Sequence, residues 1–201
     1  MPSPAPLLPE TYYHIFNRGT NRENLFRDDE NYRYFLRLYA HHVLPVAETF
    51  AYCLMPNHFH LLIRTRTQEF VQSTAREERA NFAYSKAFTN LFSSYTMAIN
   101  KKYSRTGSLF EHPFHRIAVD NEAYCARLVA YIHRNPSKHG FVKDFREWTF
   151  SSYHATLSQT KSNVMRDEVI GWYGSRVDFE SAHLQFAHDE SIAALIQEDF
   201  D

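Results

Sequence analysis

Apolar and polar positions divide most of the chain into short strands and amphipathic helices. Residues 12–18 read as a strand closed by Gly19. Asp28 and Asp29 are helix-starting residues. After them Tyr32, Phe35, Leu36, Tyr39 and Val43 fall at helical spacing, which predicts one apolar helix face up to Pro45. Residues 46–54 and 58–64 read as two strands, and Met55-Pro56-Asn57 between them is turn chemistry, so the pair is predicted as a hairpin. Residues 65–79 form a polar stretch. A long helical pattern then spans about residues 81–102, with Phe82, Phe88, Leu91, Phe92, Tyr95 and Ile99 on or near one stripe, and Ser104-Arg105-Thr106-Gly107 breaks it. Residues 114–119 are a short strand. Asp120 can cap a helix from Asn121 to about Asn135, stopped by Pro136 and Gly140.

The order is strand, helix, strand, strand, helix, strand, followed by one more helix. That succession predicts an α+β fold, a ferredoxin-like βαββαβ sheet with helices on one face, plus a C-terminal helix and an acidic helical tail. Short tail helices are expected near residues 167–173 and 178–188. Residues 1–11 begin with a Pro-rich run and read as a flexible arm, 12–153 as the main domain, and 154–201 as a tail packed on that domain.

Composition narrows the class. Hydrophobic residues make up 44% of 201, too many for a disordered chain. Two widely spaced cysteines, Cys53 and Cys125, argue against a disulfide scaffold or a Cys-based zinc site. With no secretory signal pattern and no apolar run of about 18 residues, a soluble, cytoplasmic protein without a membrane partner is expected. The net charge of −1 hides an asymmetry. Residues 96–146 carry nine basic and four acidic side chains, whereas 147–201 carry three basic and ten acidic. The basic stretch, including Lys101, Lys102, Arg105, Arg116, Arg127 and Lys138, is a candidate phosphate-binding surface; ordinary charge variation is the alternative.

Two constellations carry candidate chemistry. On the strand from His58, alternation points His58, His60 and Leu62 one way and Phe59, Leu61 and Ile63 the other. The apolar set should face the helices. The two imidazoles then lie side by side on the open face of the sheet, either as two ligands of one metal ion or as two surface histidines. On the helix before Pro136 the apolar stripe is Cys125, Leu128, Val129 and Ile132. Tyr131 and Asn135, four apart, share a flank with Tyr124 and Arg127. They could present a phenol and a carboxamide at a cleft, or serve as a core-edge tyrosine and a C-terminal cap.

Taken together, the motifs are more specific. Tyr13-His14-Ile15-Phe16-Asn17-Arg18-Gly19, Met55-Pro56-Asn57-His58-Phe59-His60, Gly107-Ser108-Leu109-Phe110-Glu111-His112-Pro113-Phe114, Tyr131-Ile132-His133-Arg134-Asn135-Pro136 and Trp148-Thr149-Phe150-Ser151-Ser152-Tyr153 occur in that order. This series resembles the IS200-like, HUH-type Y1 transposases, and within them the REP-associated tyrosine transposases, over roughly residues 12–153. The resemblance implies a strand-transfer enzyme acting on single-stranded DNA at imperfect hairpins of repeats or element ends. It implies that His58 and His60 hold a divalent ion, magnesium or manganese, that Asn135 supplies a third ligand through its side-chain oxygen, and that Tyr131 is the nucleophile. Arg18 and Arg116 would contact the DNA backbone. The family pattern at the third-ligand position is often Gln, and the tail after residue 153 is longer and more acidic than a minimal catalytic unit.

Those residue types suit the reaction. Two neutral imidazoles and an amide oxygen leave a bound divalent ion its full charge and open positions. A tyrosine forms a phosphotyrosine that retains the bond energy, so a 3′-hydroxyl can reverse the step without ATP, which water-activating nucleases cannot do. A non-catalytic hairpin-binding module derived from a transposase would need none of these residues in this arrangement. A hydrolase of small phosphoesters would not need Tyr131 and would more often carry carboxylates near the histidines. A replication initiator or relaxase shares the chemistry, but the lone tyrosine and short chain favour a transposase. Whether the protein acts as a monomer or a homodimer is left open by the sequence.

Overall fold

The computed structural model describes residues 6–74 and 80–185. Its centre is a four-stranded antiparallel sheet of β1 (Tyr12–Arg18), β2 (Ala47–Leu54), β3 (His58–Thr65) and β4 (His115–Val119), in the order β2-β3-β1-β4. The hairpin β2–β3 forms as its turn residues direct, and β1 inserts between β3 and β4. The register places Phe16 opposite His60, Arg18 opposite His58, and Cys53 on the other side of His60. Directly opposed residues share a face. One face therefore carries Tyr13, Ile15, Phe59, Leu61 and Ile63, and the other His14, Phe16, Ala51, Cys53, His58, His60 and Leu62.

The first face packs under α1 (Asp29–His42) and α3 (Ala80–Lys102). Asp28 caps α1 by accepting the Asn31 amide at 2.9 Å, a bond of the kind that stabilises a helix by about 1 kcal/mol. The expected stripe is buried at Tyr32, Phe35, Tyr39 and Val43, with Leu36 partly covered. On α3, Phe88, Leu91, Phe92, Tyr95 and Ile99 are buried; the side chain of Phe82 lies outside the described set. A helix the pattern did not announce, α2 (Gln68–Thr74), occupies the polar stretch, anchored by fully buried Val71.

The second face is covered rather than open. Helix α4 (Glu122–Lys138) lies on it, burying Cys125, Leu128, Val129 and Ile132 against Phe50, Ala51, Cys53 and Leu62. The cap of α4 is Asn121, which accepts the Tyr124 amide at 2.8 Å, and not Asp120. Nor does the helix stop before Pro136. Proline lacks its own N–H bond and crowds the carbonyl four residues back, but the next turn is kept by His139 and Phe141 donating to the carbonyls of Asn135 and Pro136, each at 2.9 Å. Gly140, at φ 74°, then ends it in the left-handed conformation that glycine adopts without strain.

The outer side of α4 is covered by α5 (Tyr153–Leu157), α6 (Arg166–Tyr173) and α7 (Arg176–Gln185). Helices α6 and α7 match the two expected tail helices, and α5 was not expected; residues 186–188 of the second expected helix lie outside the described residues. Acidic Glu168 docks α6 onto the sheet by pairing with Arg64 at 2.9 Å and accepting the Tyr12 hydroxyl at 2.5 Å. Buried His183 of α7 meets buried His133 of α4 at 2.9 Å, and His133 reaches Ser152 Oγ at 2.7 Å. At the other end of the chain, residues 7–11 do not form a free arm. Leu7 is 3% exposed in the core, and Thr65 Oγ1 donates to the Leu8 carbonyl at 2.5 Å. Residues 1–5 lie outside the described set.

Candidate active site

The extra turn of α4 brings its C-terminal end over the histidine pair. The rings of His58 and His60 stand perpendicular, with centroids 5.4 Å apart. The Tyr131 ring meets His60 edge-on at 5.9 Å. Seven residues further along the same helix face, the Lys138 ammonium lies 5.0 Å from the centre of the Tyr131 ring. The His139 ring stands 4.8 Å from His58. Asn135, one turn beyond Tyr131, is fully buried, and its Nδ2 donates to the Tyr131 carbonyl at 3.1 Å. Its Oδ1 is buried with no hydrogen-bond partner. An orphaned acceptor of this kind costs about 1–3 kcal/mol, so its retention calls for a reason. It is also not the helix cap, which falls at His139.

The electrostatics follow from burial. His58 and His60 are 7% and 1% exposed. Burial, with His139, Arg18 and Lys138 adding to it, lowers His58 from 6.5 to about 3. Burial and the neighbouring imidazoles hold His60 well below its ordinary value. Both rings are thus neutral near pH 7. Burial pushes the Tyr131 phenol up to about 12, with the Asn135 amide acting in the opposite direction. Desolvation lowers the Lys138 ammonium.

Three residues without a role in the sequence reading belong to this site. His14 of β1, 1% exposed, places its Nε2 3.0 Å from His60 Nδ1. Asn57, in the hairpin turn, places its Oδ1 2.7 Å from His58 Nδ1. His139 stands beside His58. A lone histidine in an otherwise apolar stretch of β1 was the available signal for His14, but its partner depends on strand register. His139 was hidden because Pro136 reads as a stop.

The basic residues are distributed differently from the histidine–tyrosine group. Arg18 sits opposite His58 and donates its Nε to Glu111 at 2.8 Å. Arg116 lies over the Phe114 ring at 4.2 Å, and Arg127 lies 5.8 Å from the Tyr124 ring. Lys101, Lys102 and Arg105 belong to the end of α3 and the loop after it, in the layer packed on the opposite sheet face. Lys102 pairs there with Asp28 and Glu30 at 3.0 and 2.7 Å, and Arg105 with Glu23 at 2.7 Å. Of the basic residues singled out in the sequence, Lys138 therefore stands against Tyr131 and Arg18 beside His58. Among the described residues no three His, Cys, Asp or Glu side chains gather as a metal-ligand group. Cys53 and Cys125 are buried free thiols, and no helix is long and apolar enough to cross a membrane.

The fold is similar to that of a solved REP-associated tyrosine transposase bound to a REP hairpin. The two superpose with a TM-score of 0.58 over 79% of this chain and 86% of that one, at 19% identity, a likeness of fold. The chain belongs to the IS200-like transposase family, whose profile matches residues 8–135. It is 30% identical over 111 residues to a Haemophilus influenzae protein assigned as a REP-associated tyrosine transposase, covering 53% of this chain and 59% of that protein. It is also 30% identical over 93 residues to the REP-associated tyrosine transposase of Escherichia coli, covering 45% of this chain and 53% of that one. The matched segments thus span little more than half the length of these relatives.

Proposed function

We propose that this protein cleaves and rejoins single-stranded DNA at hairpin-forming repeats, with Tyr131 as nucleophile and a divalent ion, magnesium or manganese, held by His58, His60 and Asn135. The observation that carries the proposal is a neutral histidine pair met by Tyr131, with Asn135 one turn further along the same helix holding a buried Oδ1 without a partner. The donor set fits such an ion: a carbonyl-type oxygen suits magnesium or manganese, the two neutral imidazole nitrogens suit manganese better than magnesium, and three ligands leave open positions. In this reading Asn135 completes the set, because its buried Oδ1 has no hydrogen-bond partner. A bound divalent ion supplies Lewis-acid neutralisation of the scissile phosphate.

The chain's own groups account for the rest. Tyr131 Oη attacks phosphorus, forming a 5′-phosphotyrosine bond as the bond to the 3′ oxygen breaks; the phenol proton leaves Tyr131 and the departing oxygen gains a proton. A later 3′-hydroxyl reverses the step. A phenol pushed up to about 12 is a weak nucleophile at pH 7. The Lys138 ammonium over its ring favours the phenolate and attracts the phosphate. Arg18, beside His58, adds positive charge on the strand side. Support for the hairpin substrate comes from the solved relative, which is bound to a REP hairpin.

The test is covalent trapping. Incubation with single-stranded hairpins and mass spectrometry should find DNA attached through a 5′-phosphate to Tyr131. Tyr131→Phe should lose cleavage and adduct while keeping DNA affinity. His58→Ala should lose cleavage with partial rescue by excess metal, and Tyr131→Phe should not be rescued. Full cleavage by Tyr131→Phe without an adduct would mean a water nucleophile and end the proposal.

A further inference from the structure

We infer that His14 and Asn57 are positioning residues that fix both histidine ligands as Nε2 donors before a metal arrives. The inference rests on the reading that His58, His60 and Asn135 hold a divalent ion. A neutral imidazole has one N–H and one lone pair, so a hydrogen bond at one ring nitrogen decides which nitrogen can coordinate. Asn57 Oδ1 is a carbonyl oxygen and can only accept. Its contact of 2.7 Å with His58 Nδ1 therefore places the proton on Nδ1 and assigns coordination to Nε2. His60 Nδ1 lies 3.0 Å from His14 Nε2, where one ring must donate and the other accept. Coordination through His60 Nε2 makes His60 Nδ1 the donor. His14 then accepts at Nε2 and carries its own proton on Nδ1.

Packing leaves His14 little freedom to do otherwise. It is diagonal to His60 across the β1–β3 ladder, 1% exposed, and stacked on Phe16 at 4.7 Å and on His60 at 5.1 Å. An apolar residue would fill this position without burying a second imidazole. A histidine here supplies the acceptor that the ligand ring needs at its outer nitrogen, the arrangement by which metal-ligating histidines are oriented and made more basic. Asn57 is fixed by the turn: its carbonyl accepts the Gly19 amide at 2.9 Å, and the turn is closed by Met55 N–H donating to the His58 carbonyl at 2.8 Å. Two different elements, a neighbouring strand and a hairpin turn, thus provide the same service to the two ligands.

The test uses the full chain. Long-range ¹H–¹⁵N correlation spectra of the metal-free protein should show His58 and His60 protonated at Nδ1. A predominant Nε2–H form of either ring would overturn the assignment for that ring. Manganese titration by calorimetry should then show affinity about 10–100-fold weaker in His14→Phe and in Asn57→Ala, as loss of such outer partners costs elsewhere. His14→Gln and Asn57→Asp, which keep an acceptor, should recover most of the loss. Wild-type affinity in both His14→Phe and Asn57→Ala would overturn the positioning role while leaving the metal site standing. No manganese binding by the wild-type protein would overturn the metal reading, and the inference with it. Asn57 lies in a turn outside the core, so its pair of variants decides the His58 half even where His14→Phe fails to fold, and the protonation of His60 in the wild-type spectra decides the other half.

Discussion

Lowering the pH from 7 to 5 should destabilise the metal-free protein steeply, because its core holds several histidines that are neutral when folded. Burial lowers His14 and His58 to about 3 and His183 to about 4, from an ordinary 6.5. The folded state disfavours the protonated form, so below pH 6.5 the unfolded chain binds more protons. Stability is therefore fully present above about 6.5 and is lost as pH falls towards the folded values. Each unit of pH in that window removes about 1.4 kcal/mol per ring, so between pH 7 and 5 each of the three removes about 2 kcal/mol. Together they remove about 6 kcal/mol, comparable with the whole stability of an ordinary domain, about 5–15 kcal/mol. His60 and His133, held well below 6.5 by burial, act in the same direction. Asp28 and Asp144, pulled down to about 2 by their hydrogen-bond partners, act only at lower pH, below their ordinary 3.8. Urea unfolding followed by circular dichroism in EDTA, at intervals from pH 7.5 to 5, gives the slope of stability against pH. Near pH 5 it should correspond to about three protons or more taken up on unfolding. A slope below one proton would mean that these rings are not neutral and buried, and the electrostatic account of the site would fall with them.

Three further outcomes follow from particular contacts. Lys138→Ala should weaken single-strand binding and flatten the dependence of log K on log salt by about 0.7, measured by fluorescence anisotropy at several salt concentrations; an unchanged slope would place the phosphate elsewhere. Gly19→Ala should destabilise the fold by about 1–3 kcal/mol or more in urea unfolding, because a Cβ there would lie 2.0 Å from the Glu23 carbonyl oxygen and the Gly19 amide also holds the Asn57 turn; a wild-type midpoint would contradict this packing. Ending the chain after residue 153 should lower the melting temperature sharply and not release activity, since fully buried Val169 and Phe179 and the His133–His183 contact would be lost from the back of α4; a truncated chain that melts like the full one would show the tail to be dispensable.

How far the site was legible depended on whether its cause was local. Strand β1, the hairpin and α1 could be placed from alternation, turn chemistry and the Asp28 cap, because each is decided by residues a few positions apart. The facing of His58 and His60 away from Phe59, Leu61 and Ile63 followed from the same two-residue period, and the structure puts those sets in different layers. The openness of that face could not be read. It is closed by α4 and by tail helices whose docking depends on Glu168 meeting Arg64 and His183 meeting His133, pairs more than 40 residues apart. Pro136 misled for a local reason with a tertiary answer. Taken alone it ends a helix, but His139 and Phe141 donate to the carbonyls of Asn135 and Pro136, and burial of Asn135 and Pro136 keeps the turn helical. That retained turn sets the chemistry. It carries Lys138 back over Tyr131 and His139 beside His58. Ending the helix at Asn135 would leave Tyr131 and the histidine pair in place but remove the cation over the phenol. The residues that a motif identifies are thus made into a site by the ones it leaves out.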